Sequence, residues 1–197
     1  MLNKGKKPKK SRNSAGERFA LLAGAGEQVF HTKDLANLWG IRNSHTLYMT
    51  LSRYVAAGLM FRVHKGLYSI NHPSNIDPYL LGLKALHSPG YISCESVLFN
   101  EGVINQTPHE ITLVSDLSKR FAVAGQHFRS RKLRNSFLFN EAGIVTKNSV
   151  RIATLPRAIA DTLYFNPKKY FDASSTKIIN MAEVRDMATR IGYSISA

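Results

Sequence analysis

The sequence predicts an α+β protein: an N-terminal group of helices with a strand hairpin, followed by a mixed α/β region. Three observations predict this class. Apolar residues recur at helical spacing up to residue 58, two strand-like runs follow at 59–70, and strand-like and helical segments mix beyond a Pro- and Asn-rich join at 71–78. With 197 residues and 44% hydrophobic content, the chain is long enough for one large core or two small domains.

The first two helices are marked by their capping residues. Ser14 followed by Glu17 is a capping box that opens the first helix, and two glycines soon after end it. Thr32 is the expected N-cap of a second helix, which Gly40 ends.

The third helix is expected to begin at the N-cap Ser44 and to stop before Gly58. At 100° per residue, one side of this helix is apolar and is predicted to face the core. That side holds Leu47, Leu51, Tyr54 and Val55.

The opposite side of the third helix contains no acidic residue, which suits a surface that approaches phosphate. It holds His45, Tyr48, Met49, Ser52 and Arg53. A helix N-terminus also favours anions, which adds Arg42, Asn43 and Ser44. Since Arg and Asn side chains match the edges of guanine and adenine, base reading is expected from Asn43 to Arg53 and phosphate contact from Arg42.

A basic hairpin follows directly. The runs "LMFRV" and "GLYSI" are joined through His64, Lys65 and Gly66, and alternation places Met60 and Arg62 on the same face. Arg62, His64 and Lys65 are expected to reach the flanking backbone or the minor groove. Helix, helix, turn, helix and basic hairpin is the order of a winged helix-turn-helix, predicted for residues 14–72.

Basic residues are concentrated in this half. The chain carries 27 Lys and Arg against 13 Asp and Glu, a balance that favours polyanionic partners. Residues 1–72 hold 12 basic and 3 acidic residues, a net +9; residues 73–197 hold 15 and 10, a net +5.

Residues 1–13 are predicted to be a disordered arm, either simply solvated or following DNA phosphates. Its basic residues are Lys4, Lys6, Lys7, Lys9, Lys10 and Arg12.

Residues 73–197 are predicted to form a mixed α/β domain. Helices are expected at 79–86, 95–100, 156–164 and 177–191, and strands at 110–114, 121–124, 127–133 and 149–153. A second basic cluster in this region is either a solvated sheet face or a second nucleic-acid contact. It consists of Lys119, Arg120, Arg129, Arg131, Lys132 and Arg134.

Catalytic motifs are lacking in the sequence, so we expect no enzyme, no cofactor and no metal site. No acidic residue has Lys two positions after it, as a common type of metal-dependent nuclease requires, and the histidines lack metal-ligand spacing. Asp161 follows Arg157 by four residues, which favours a surface ion pair over a catalytic carboxylate.

The single cysteine, Cys94, excludes a disulfide framework. No apolar run approaches a membrane span, and a cytoplasmic protein without membrane contact is expected.

Five segments in order resemble the AbiEi family of antitoxins. They are "FHTKDLANLWG", "TLYMTLSRYVAAGLMFRVHKGLYSI", "YISCESVLFNEGVINQTPHEITLVS", "FAVAGQHFRSRKL" and "IATLPRAIADTLYF". Tyr54, Leu155 and Arg157 depart from the family pattern.

The resemblance implies a repressor that binds inverted repeats in double-stranded DNA at its own promoter, as a homodimer or cooperatively. It also implies the antitoxin of a type IV pair, whose nucleotidyltransferase toxin is not held in a stable complex. Two alternatives stay open: a stand-alone regulator whose C-terminal domain senses a ligand or a protein, and a nuclease.

Overall fold

The structure, a computed structural model, describes residues 14–172 and 177–194. The chain divides into two compact units, Met1–His72 and Pro73–Ala197. Both units contain helices and strands, which confirms the α+β class. Within the described residues, no helix is both long and apolar enough to cross a membrane.

The N-terminal unit combines three helices with a small antiparallel sheet. Strand β3 is central and pairs with β1 on one side and β2 on the other. The elements are α1 (Ala15–Gly24), β1 (Val29–His31), α2 (Thr32–Leu38), α3 (Ser44–Ala56), β2 (Phe61–His64) and β3 (Leu67–Ser69).

The capping box of α1 forms as predicted, but the caps of α2 and α3 lie one residue earlier than predicted. The backbone N–H of Glu17 donates to Oγ of Ser14 over 3.2 Å, and the N–H of Ser14 donates to Oε2 of Glu17 over 2.6 Å. In α3 the cap is Asn43, because its backbone is extended whereas Ser44 is already helical. The N-cap of α2 is His31 for the same reason, and Thr32 is the first helical residue.

The core of the N-terminal unit confirms the predicted apolar side of α3. Its buried members include Leu47, Leu51 and Tyr54, and Val55 packs against them. The prediction that Met60 shares a face with Arg62 is wrong. Met60 is 1% exposed and lies just before β2, so the alternation of the strand does not extend to it, whereas Arg62 is exposed.

The C-terminal unit is built on a six-stranded mixed sheet of order β6-β7-β5-β4-β9-β8. Strands β5 and β7 are parallel, as are β4 and β9, and the other pairs are antiparallel. The elements are α4 (Pro78–Leu86), β4 (Gly90–Ile92), α5 (Glu95–Asn100), β5 (Ile111–Ser115), β6 (Lys119–Val123), β7 (Gln126–Lys132), α6 (Asn135–Leu138), β8 (Ile144–Lys147), β9 (Val150–Ala153), α7 (Leu155–Phe165) and α8 (Met181–Ile191).

Four elements of this unit escape the sequence prediction: a 3-10 helix at Pro73–Asn75, β4, α6 and β8. Strand β4 has three residues, all buried, so it shows no alternation of apolar and polar side chains. Helix α6 and strand β8 are four residues each, too short to show a period. Helix α8 begins at Met181, later than the predicted residue 177, because Asn180 caps it with Oδ1.

The two faces of strand β7 carry different chemistry. Phe128 is fully buried and faces α4, where a Cβ on Gly82 would lie 2.3 Å from its ring. Arg129 and Arg131 alternate with it and therefore point to the other face. There they are register partners of Thr112 and Val114 on the parallel strand β5.

The prediction that Arg157 and Asp161 form a surface ion pair is wrong. They do pair along α7, with Nε of Arg157 3.1 Å from Oδ1 of Asp161, but both side chains are 0% exposed. Helical spacing gives the pairing, while burial depends on the strands and helices packed around α7, which spacing does not reveal.

Every polar atom of this buried pair has a partner. The remaining donors of Arg157 bond to the hydroxyl of Tyr91 and to the carbonyls of Phe137, Asn140 and Ala142. The carboxylate of Asp161 also accepts from Tyr91 at 3.0 Å, Ser93 at 2.7 Å and Tyr193 at 2.6 Å. A buried charge is tolerated when it is paired and hydrogen-bonded throughout, so the cluster joins β4, α7 and Tyr193, two residues after α8, into one structural unit.

Burial also shifts the proton equilibria of this cluster. It raises the pKa of the Asp161 carboxyl above its ordinary value, although Arg157 and the three hydroxyl donors oppose the rise. Burial and the nearby Asp161 charge raise the pKa of the Tyr91 and Tyr193 hydroxyls, which therefore keep their protons and act as donors. The neighbouring Cys94 is fully buried, and its raised pKa makes it an inert thiol.

Candidate nucleic-acid interface

The outer side of α3 is exposed along its length. His45, Ser52 and Arg53 are exposed. Tyr48 and Met49 keep 54% and 44% of their surface exposed. Two large, partly apolar side chains therefore stand next to a cation on a surface turned away from the core.

The N-terminus of α3 presents Arg42, Asn43 and Ser44, all exposed. Oδ1 of Asn43 accepts the backbone N–H of Thr46 over 3.0 Å. An Asn that pairs with adenine through both its oxygen and its nitrogen needs that oxygen. While it caps α3, Asn43 has only its amide N–H groups to offer a base.

The hairpin presents the predicted basic residues. Arg62, His64 and Lys65 are exposed, while Leu67 and Tyr68 in β3 are buried. The register between β2 and β3 shifts between Arg62 and His64, which marks a bulge. The turn is tied to the start of α2, since the N–H of Thr32 donates to the carbonyl of Gly66 over 3.0 Å.

A depression of about 450 Å³ lies between α3 and the hairpin. Its polar wall consists of Tyr48 and Ser52 from the helix and Arg62 from β2. Sequence reasoning grouped Tyr48 and Ser52 with the residues that read bases, but the structure brings them beside a hairpin arginine. Tyr68, which also lines the depression, was missed because nothing in the local pattern relates β3 to α3.

Acidic residues are absent around these side chains in the sequence. Asp34 and Asp77 are consecutive acidic residues, so residues 35–76 carry no carboxylate. Glu17 and Asp34 serve as capping partners, since each accepts a backbone N–H at the start of a helix. The predicted arm, residues 1–13, lies outside the described residues.

The second basic cluster is divided by the sheet. Arg120, Arg129 and Arg131 point to one face, because Arg120 and Arg129 are register partners and Arg131 follows two residues later. Lys119 and Lys132 point to the other face, where the ammonium group of Lys119 lies 5.3 Å from the ring centre of Phe121. Arg134 is exposed beyond the strand, at the N-cap of α6.

Two arginines of this cluster are already paired with carboxylates. Nε of Arg120 lies 3.1 Å from an oxygen of Glu110, and Arg131 donates to Glu95. The guanidinium group of Arg131 also lies 5.4 Å from the ring centre of Phe165. The six residues do not form one continuous basic surface.

Metal ligands do not converge in the described parts of the chain: no three His, Cys, Asp or Glu side chains lie where they could hold an ion.

Comparison with known proteins identifies a shared fold. No family model and no curated protein matches this chain. Among solved structures, the RV2827C protein from Mycobacterium tuberculosis superimposes with a TM-score of 0.52 at 12% identity, over 91% of this chain and 73% of that one. At this identity the likeness concerns the fold alone, and it extends over most of the chain.

Proposed function

We propose that this protein is a sequence-specific DNA-binding transcriptional repressor whose N-terminal unit is a winged helix-turn-helix. The observation that supports this most is the exposed outer side of α3, which has a basic hairpin beside it and no carboxylate within residues 35–76. A surface that binds phosphate must exclude carboxylates, whereas a merely solvated helix mixes acids with bases.

Within this proposal, base reading belongs to the exposed residues at the start and on the outer side of α3 that do not line the depression. Arg53 offers a forked donor for guanine, and Met49 offers apolar contact for the methyl group of thymine. His45, Ser44 and the amide N–H groups of Asn43 complete the reading surface at the start of α3.

Phosphate contact belongs to the depression and the hairpin. Tyr48, Ser52 and Arg62 line one depression, so their two hydroxyls and one guanidinium group suit a single phosphate. Exposed basic side chains before α3 and on the hairpin are assigned to further phosphate contacts, namely Arg42, His64 and Lys65. Tyr48 and Ser52 are therefore assigned to phosphate contact because of their place in the depression, although they lie within the base-reading stretch of the sequence.

The test measures binding of the purified full chain to DNA from upstream of its own gene, by fluorescence anisotropy at several salt concentrations. The logarithm of the binding constant should fall linearly with that of the salt concentration, at about 0.9 per phosphate neutralised. Inverted repeats should give two protected half-sites, as expected for a homodimer or for cooperative binding. Binding that does not depend on salt, or no binding to this DNA, would contradict the proposal.

We further propose that the protein is the antitoxin of a type IV pair with a nucleotidyltransferase toxin. The support is the resemblance of five ordered segments to AbiEi-family antitoxins, which extends into the C-terminal unit. The test is whether a nucleotidyltransferase reading frame adjoins the gene and whether its toxicity is relieved by co-expression, without a stable complex on gel filtration. Toxicity that persists on co-expression would contradict this role.

A stand-alone regulator with a sensing C-terminal unit is the second candidate. It is favoured by a half-open cavity of about 360 Å³ beside Arg129, within the size range of small-molecule sites. The absence of an adjoining nucleotidyltransferase frame would favour this candidate over the antitoxin.

A further inference from the structure

The cavity beside Arg129 lies on the arginine-bearing face of β5 and β7, entirely within the C-terminal unit. Its walls include Glu95 at the start of α5, Thr112 on β5, Arg129 on β7, and Lys169 after α7. Gln106, Thr107 and His109 add polar groups from the segment before β5. The cavity is therefore a concave site with several converging donors, as small-ligand sites are.

The lining of this cavity holds two acidic and two basic side chains, and the two acidic ones are already paired. Glu95 and Glu110 line it, but each already faces an arginine, Arg131 and Arg120 respectively. Arg129 and Lys169 have no ion pair with any residue in the described ranges. Two cations in a concave site without their own carboxylates attract an anion.

A guanidinium group at this position suits phosphate in particular. Arginine presents a planar fork of donors that matches phosphate oxygens, and such charge-assisted bonds are stronger than neutral ones. Arg129 is held by the pairing of β7 with β5 on one side and with β6 on the other, so its backbone is fixed before a ligand arrives.

One buried acceptor beside the cavity has no hydrogen-bond partner. Oε2 of Glu95 is buried and accepts no hydrogen bond from the described residues, while Oε1 accepts from Arg131. Glu95 is part of the cavity wall, so its carboxylate borders a ligand bound there. A ligand that carries a hydroxyl or amine next to its phosphate would supply the missing donor.

A second cavity, of about 440 Å³, adjoins the first and shares Thr107, Pro108 and Glu110 with it. Its wall includes Tyr79, Phe99 and Asn100, and Nδ2 of Asn100 donates to the Tyr79 hydroxyl over 2.6 Å. Aromatic rings beside an amide suit a nucleobase, which needs stacking surface and a polar edge contact.

We propose that the C-terminal unit binds a nucleoside monophosphate, with its phosphate at Arg129 and Lys169, a ribose hydroxyl at Glu95, and its base at Phe99 and Asn100. The site is independent of the DNA-binding proposal, because every residue in it belongs to the C-terminal unit and binding is measured without DNA.

The experiment titrates the full chain by calorimetry with the four nucleoside monophosphates, ribose 5-phosphate and inorganic phosphate. At least one nucleotide should bind more tightly than ribose 5-phosphate, and Arg129→Gln should weaken it by about tenfold or more. Lys132→Gln is the matched control: it removes one exposed cation from the same strand but from the opposite face, and should leave affinity unchanged.

Asn100→Ala separates base recognition from phosphate recognition. It should weaken the nucleotide several-fold and leave ribose 5-phosphate unchanged, with thermal unfolding as the check that each variant is folded. No binding at millimolar nucleotide, equal affinity of nucleotide and inorganic phosphate, or an Arg129→Gln variant that binds like the parent would each overturn the proposal.

Discussion

Most described arginines of the C-terminal unit lie beside a carboxylate, and those of the N-terminal unit do not. In the N-terminal unit, Arg42, Arg53 and Arg62 are exposed and have no ion pair with any described residue. In the C-terminal unit, five arginines each face a carboxylate. They are Arg120, Arg131, Arg151, Arg157 and Arg190, opposite Glu110, Glu95, Glu141, Asp161 and Asp186. Arginines without a neighbouring carboxylate are available to a polyanion, whereas paired arginines stabilise the fold. The placement of the acidic residues therefore decides the role of an arginine more than the number of arginines does.

Two pairs with the same i,i+4 spacing make the comparison quantitative. Arg157 and Asp161 on α7 are 0% exposed, whereas Asp186 and Arg190 on α8 are more than half exposed and 3.8 Å apart. Water and salt screen the charges of the exposed pair on α8. The buried pair on α7 has no contact with water, so only the protein groups bonded to it stabilise its charges.

Asp161→Ala should lower the free energy of unfolding by about 3–5 kcal/mol, because it leaves the Arg157 guanidinium group buried without a counter-charge. Asp186→Ala, the exposed counterpart, should cost about 0–1 kcal/mol. Urea unfolding followed by circular dichroism measures both. Equal losses in the two variants would mean that burial does not distinguish the pairs.

Deletion of residues 2–12 removes six basic side chains and should weaken binding to all DNA sequences alike. The slope of the logarithm of the binding constant against the logarithm of the salt concentration should become shallower by about 0.9 for each phosphate contact that is lost. Anisotropy with the operator and with scrambled DNA measures the change. A shift in which sequence is preferred would show that the arm reads bases, as minor-groove arms do.

Arg53→Ala should cost about 1–3 kcal/mol of operator affinity and relax the preference at one base pair. The matched control is Arg185→Ala, which removes an exposed arginine from α8 in the other unit and should change nothing. A loss that is equal on operator and scrambled DNA would instead assign Arg53 to phosphate contact.

Asn43 should show the smallest effect, and two substitutions separate its two roles. Asn43→Ala removes the cap of α3 as well as the amide, and should cost about 1 kcal/mol of stability in addition to operator affinity. Asn43→Ser keeps a capping oxygen and should lower only the affinity. If both variants bind the operator like the parent, Asn43 is a cap alone.

Local order in the chain was largely predictable, and the reasons for the exceptions are physical. The apolar side of α3 and the capping box of α1 could be read from helical spacing, because both depend on neighbours within a few residues. Strand β4 could not be predicted in this way, since a buried strand of three residues shows no alternation of apolar and polar side chains. The depression beside Arg62 could not be predicted either, because residues from α3, β2 and β3 line it together only in the folded unit.

The sequence by itself determined the α+β class, the concentration of positive charge in residues 1–72, and the acid-free outer side of α3, because each depends on composition or on helical spacing. Only the tertiary structure decided which cations keep their charge available. Arg131, Arg120 and Arg157 meet carboxylates or hydroxyls from elsewhere in the fold, and Arg157 with Asp161 passes from an ordinary helical pair to a fully buried one. Burial depends on what packs around a helix, and residues far apart in the chain, here Tyr91 and Tyr193, supply that packing.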